Sequence, residues 1–158
     1  MIEGPEGLLL VQNRRRDGTS DWSPPGGVIE VEEGESVLEG LTREVAEETG
    51  LTITKWEGPI YAVEAIAPGM GWHLMVEVYR AITYEGSIVL DDPDGIVIDA
   101  AFSSHEACMT RLSSTWQPTH EPLLAWLEER WSEHRSYCYH IEGESRAAMT
   151  ITRVLEGD

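Results

Sequence analysis

Residues 26–51 read GGVIEVEEGESVLEGLTREVAEETGL, and the rest of the chain is interpreted outward from them. Glu44, Glu47 and Glu48 stand at i, i+3 and i+4. A helix advances about 100° per residue, so their carboxylates share one stripe. Like charges on one stripe repel and cost stability unless something positive neutralises them, and a divalent cation is the simplest candidate. The helix itself is well specified. Ser36 with Glu39 has the spacing of a capping box, and Gly50 can take the left-handed conformation that stops a helix. Val37, Leu38, Leu41 and Val45 form an apolar stripe beside the acidic one, so one flank can be buried while the other faces a cleft.

Composition narrows the classes of partner. A chain of 158 residues with 41% hydrophobic content suits one globular domain, and six Trp and five Tyr supply large groups for a core. The formal charge of −18 argues against a nucleic-acid polymer or an anionic membrane, both of which require clustered Lys and Arg. A small phosphorylated ligand remains compatible if metal ions supply the positive charge. Cys108 and Cys138 have neither metal-ligand spacing nor the density of a disulfide framework, so a reducing cytoplasm is the expected compartment. No apolar run reaches the length of a membrane span, and Met1 is not followed by a signal-peptide pattern.

Taken in order, Leu8 to Val11 form a continuous apolar run that reads as a strand buried on both faces. Arg14, Arg15 and Arg16 follow, three of only 11 basic residues, and are candidates for contacting phosphate, with a solvated edge as the bland alternative. Trp22 to Gly27 contains two prolines and two glycines and reads as a tight turn. Residues 53–67 and 72–83 read as a hairpin about Pro68 to Gly71, with Leu74, Val76 and Val78 expected to face the core. Trp56, Tyr61 and Trp72 are candidates to stack on a base, although aromatics are more often simply core. His73 reads as a surface or pocket-wall residue. Asp91 to Gly95 is an acidic turn without the ligand spacing of a calcium loop. Ile96 to Ile98 resumes a strand, Ser103 with Glu106 suggests a capped helix to about Leu112, and Glu121 to about His134 a second helix. Residues 136–141 and 147–155 read as strands.

Within the opening stretch, Glu35, Arg43, Glu44, Val45, Glu47, Glu48, Gly50 and Leu51 match the second half of the Nudix box, G-x5-E-x7-R-E-U-x-E-E-x-G-U with U a bulky aliphatic. The chain therefore resembles the Nudix hydrolase family. In the first half, seven residues rather than five separate Gly27 from Glu35, an insertion placed in an acidic loop holding Glu30, Glu32 and Glu33.

The resemblance implies a mixed α/β (α+β) fold, an α/β/α sandwich with a central mixed sheet. It also implies one domain over 1–158, extended by a C-terminal helix and strand from about 119. Such domains usually carry a strand before the one at Leu8, so residues 148–154 are expected to fill that place, within the chain or in a homodimer. The implied chemistry is Mg²⁺- or Mn²⁺-dependent hydrolysis of a pyrophosphate linkage in a nucleoside diphosphate derivative: a nucleotide, a nucleotide sugar or the ADP-ribose class. In that scheme Glu44, Glu47, Glu48 and the Gly26 carbonyl hold metal, and one glutamate doubles as base. Arg43 orients the set, Asp99 is a further ligand or base ahead of Glu106, and Arg14, Arg15 and Arg16 meet substrate. The alternative is a Nudix-fold binding or regulatory module without catalysis.

Overall fold

A computed structural model describes residues 1–29 and 34–155. The elements in order are β1 (Glu3–Gly4), β2 (Gly7–Arg14), β3 (Ser20–Ser23), α1 (Val37–Thr49), β4 (Thr52–Ala67) and β5 (Trp72–Glu85), then β6 (Val97–Ser103), α2 (His105–Leu112), α3 (Gln117–Glu129), β7 (Arg135–Glu142) and β8 (Thr150–Val154). The architecture is mixed α+β, as expected, but the strands form two four-stranded sheets rather than one central sheet. The chain divides into two compact units, Met1–Glu57 with Arg80–Thr115, and Gly58–Tyr79 with Trp116–Asp158; β4 and β5 run through both. Among the described residues no helix is long and apolar enough to cross a membrane.

The first unit is built around β2, which pairs antiparallel with β1, β3 and β6. Leu8, Leu9, Leu10 and Val11 are all buried, which is why four successive apolar residues are tolerated there without alternation. α1 begins and ends where its sequence dictates. The Ser36 side chain accepts from the Glu39 N–H, the Glu39 carboxylate accepts from the Ser36 N–H, and Gly50 closes the helix at φ 76°. Val45 reaches the core formed by Ile2, Leu9, Leu51, Ile53 and Ala81, with Leu41 packed against it. The Trp56 indole N–H donates to the Thr42 hydroxyl at 2.9 Å, so this aromatic serves to hold α1. The capped start of α2 falls one residue later than expected: Ser104 is the cap and accepts from the Ala107 N–H, while Ser103 ends β6, buried, and accepts from Arg111.

In the second unit β4 runs parallel to β7, and β7 is antiparallel to β8. Tyr61 meets Trp131 and Tyr137 edge-on at centroid distances of 6.4 and 6.0 Å, and Leu123, Trp126, Tyr139 and Ile141 are buried. α3 starts at Gln117, ahead of the expected Glu121, and stops at Arg130 in the left-handed conformation, short of His134. The C-terminal strand lies within its own chain, at the sheet edge beside β7, while β1 occupies the place next to β2. The expected core-facing stripe of β5 is not realised in this unit, since Leu74 and Val76 are each 37% exposed. β5 is the terminal strand of its sheet, beside β4, and its Ala81 N–H donates to the Met1 carbonyl at 2.8 Å.

Candidate active site

One face of α1 forms the wall of a cleft of about 450 Å³ whose other lining comes from Val28, Glu35, Pro93 and Asp94. Arg43 is its hub. Its Nε and Nη2 donate to the two Glu35 oxygens at 2.9 and 3.1 Å, a two-pronged contact suited to guanidinium and carboxylate geometry. Its Nη1 donates to Glu44 at 2.7 Å and to Glu47 at 3.3 Å. This hydrogen bonding holds Glu35 below the usual carboxylate range and fixes Arg43 firmly in its charged form. Repulsion among the glutamates is thereby offset within the helix on two of the three positions.

Glu48 turns the other way. Its Oε2 accepts from the Gly26 N–H at 2.9 Å. Burial nevertheless pushes its carboxyl up from 4.5 to about 7, outweighing that hydrogen bond, and the nearby charges of Glu44, Asp92 and Glu47 push the same way. Gly27 sits so close to Glu44 that a Cβ there would meet the carboxylate directly. The glycine pair is therefore a fitted surface under the acidic face as well as a turn.

The structure brings together Arg43, Glu44 and Glu47 in the cleft, with Glu48 on the neighbouring turn and Gly26 against it. It does not bring Asp99 there: that residue is exposed on β6 opposite Gln12, its Oδ1 accepting from the Ala100 N–H. Glu106 lies in the first turn of α2. Arg15 is committed to Asp21, with contacts of 2.7 and 2.6 Å, whereas Arg14 and Arg16 make no ion pair among the described residues. Glu30, Glu32 and Glu33 lie outside the described residues.

Sequence reasoning missed the contribution of the acidic turn. Asp94 lines the cleft, and Asp92 adds negative charge near Glu48 while its Oδ2 accepts from the Ile96 and Val97 N–H groups at 2.7 and 2.9 Å. The only signal was the local density of Asp, which reads equally well as a solvated turn.

Hard carboxylate oxygens, without His or Cys among them, are the donor chemistry of Mg²⁺ or Mn²⁺. The cradle that a Cβ at Gly27 would fill leaves the Glu44 carboxylate room at the helix face. Among the described residues no group of three such side chains is already drawn together around one point, since Arg43 and Gly26 engage them separately.

A family model described as the NUDIX domain matches residues 1–127. The fold is shared with solved structures. A MutT protein from Bacillus halodurans is 21% identical with a TM-score of 0.62, covering 97% of this chain and 93% of its own. The E. coli ORF135 protein is 21% identical with a TM-score of 0.62, covering 84% and 90%. The NUDIX domain of Shewanella oneidensis NrtR, solved in complex with ADP ribose, is 21% identical with a TM-score of 0.58, covering 78% and 77%.

Proposed function

Because this chain belongs to the Nudix family, we propose that it hydrolyses a pyrophosphate linkage in a nucleoside diphosphate derivative, using Mg²⁺ or Mn²⁺ held by Glu44, Glu47 and Glu48. The observation that carries the reading is the set of three glutamates on one face of α1, with Arg43 clamped to Glu35 beside them. When bound, the cation offsets phosphate charge and acidifies a water. The chain's own residues do the remainder. Arg43 holds Glu35, Glu44 and Glu47 in register by charge-assisted hydrogen bonds. Glu48 joins Glu44 and Glu47 in holding the cation, its carboxylate oriented by the Gly26 N–H, and one of the three glutamates serves as base. The Gly26 carbonyl is assigned as a further oxygen donor. Arg14 and Arg16, which make no ion pair among the described residues, are assigned to substrate phosphate, with Arg15 braced by Asp21. The compartment proposed is the cytoplasm.

The substrate classes to compare are nucleoside triphosphates, dinucleoside polyphosphates, nucleotide sugars and ADP-ribose, the last because the similar NrtR domain is complexed with ADP ribose. Magnesium-dependent phosphate release from that panel tests the proposal. Glu48→Gln is expected to keep the fold and lose activity by about 10²-fold or more. Turnover close to that of the unsubstituted chain would contradict the assignment.

A second reading, a binding module without turnover, is favoured by the separate engagement of Glu44 and Glu47 by Arg43 and of Glu48 by Gly26. It requires saturable binding of a panel member with no phosphate released in the presence of Mg²⁺.

A further inference from the structure

The glycine pair that seats the acidic face of α1 is itself anchored. Gly26 directs its N–H onto Glu48 at 2.9 Å and Gly27 lies against the Glu44 carboxylate, so both contacts depend on where the chain leaves β3. That exit is fixed at three points. The buried Thr115 hydroxyl donates to the Trp22 carbonyl at 2.7 Å, and the Arg111 guanidinium lies over the Trp22 ring, 4.2 Å from its centre. One residue on, the buried Asn13 side-chain amide donates to the Ser23 hydroxyl at 2.9 Å. Between these anchors and Gly26 stand only Pro24 and Pro25, the second of them buried. Proline rings hold φ at about −65° and keep the residue before them extended, so the link is stiff and a shift of Trp22 is carried to Gly26.

A basic residue in the last turn of α2 suits the helix dipole, but the dipole alone does not direct a guanidinium onto an indole. Arg111 is aimed there by a second tie: its Nη1 donates to the hydroxyl of Ser103, buried at the end of β6. Thr115, just beyond α2, joins Trp22 across a long stretch of sequence through a hydrogen bond that no helix or strand ladder supplies. We propose that Arg111 and Thr115 are positioning residues for the cation site: they hold Trp22, and through Pro24 and Pro25 they set the Gly26 N–H on Glu48 and the Gly27 backbone beside Glu44. The inference rests on the function proposed above, in which those two carboxylates hold the cation. Among the described residues neither Arg111 nor Thr115 lines the cleft, so both act through the glycine pair and not on substrate or metal. All of these residues belong to the first unit.

Thr115→Val removes the donor while keeping the side chain's shape, Thr115→Ser keeps the donor, and Arg111→Met removes the cation while keeping an apolar stem. Hydrogen exchange of the Gly26 amide, followed by nuclear magnetic resonance on metal-free protein, is expected to quicken by about tenfold or more in Thr115→Val and in Arg111→Met. Amides of β2 should be unchanged, and Thr115→Ser should stay close to the unsubstituted chain. Calorimetric Mg²⁺ affinity should fall by about tenfold in Thr115→Val and Arg111→Met, as when a ligand loses its support, and kcat should fall with it while KM is kept. Exchange at Gly26 that is unaltered in both variants, Thr115→Ser as fast as Thr115→Val, or an acceleration shared evenly by β2 would each overturn the proposal. Exchange is read without metal or substrate, so the two readings fail separately. If the unsubstituted chain releases no phosphate with Mg²⁺ while Gly26 responds as expected, the catalytic reading falls and the anchoring role stands; the reverse pattern removes the anchoring role alone.

Discussion

Glu48 shows how one position can be the same residue type as its neighbours and yet behave differently. Glu44 and Glu47 are held by a guanidinium, while Glu48 is sunk against Gly26 and keeps its proton up to about pH 7. A carboxyl raised in the folded state contributes stability that is present below its unfolded value of 4.5 and is lost as pH rises through about 7. Metal-free protein should therefore lose up to about 3 kcal/mol from this group between pH 4.5 and 8, and Glu48→Gln should flatten that slope in urea titrations. The same proton competes with a cation, so apparent Mg²⁺ affinity measured calorimetrically should rise across that interval; a pH-independent affinity would remove Glu48 from the ligand set. Gly27→Ala is expected to leave the unfolding midpoint nearly unchanged, because the obstructing group is the end of a flexible side chain, yet to displace Glu44. Activity and metal affinity should fall by about tenfold or more, as when a ligand loses its support, and normal affinity in that variant would show that Glu44 is not a ligand.

At the scale of the element, α1 depends on its two ends. Ser36→Ala removes the acceptor for the Glu39 N–H and should cost about 1 kcal/mol in the denaturation midpoint. Gly50→Ala should cost more, about 1–3 kcal/mol: φ is 76°, and a Cβ would lie 3.0 Å from the backbone of Ser87 and Val89, where the chain is tied to α1 by the Val89 N–H to the Thr49 carbonyl. Equal losses for the two variants would mean that this tie is not a constraint. Both ends were legible in the sequence because a cap is a local motif. The start of α2 was not, since Ser103 and Ser104 are chemically equivalent candidates and only the strand β6, extending through Ser103, decides between them. α3 likewise begins at Gln117, under a proline-containing first turn, where apolar periodicity gives no signal.

For the whole molecule, every residue assigned to the cation belongs to the first unit. At about one hundred times its dissociation constant, Mg²⁺ should stabilise the protein by about 2.7 kcal/mol, and hydrogen-exchange protection should increase in residues 34–51 and 91–97 ahead of those in β7 and β8. Protection gained first in β7 and β8 would place the cation elsewhere. The acidic stripe, the caps of α1 and the buried run at Leu8 to Val11 were determined by contiguous residues alone, because helical period, capping and apolar runs are properties of a short stretch of chain. Tertiary structure decided the rest. It turned Glu48 toward Gly26, carried Asp92 and Asp94 to the acidic face from a distant turn, left Asp99 outside the cleft and left Leu74 and Val76 uncovered. Burial, charge and partner at these positions are set by neighbours through space, and no local spacing encodes which neighbours the folded chain will supply.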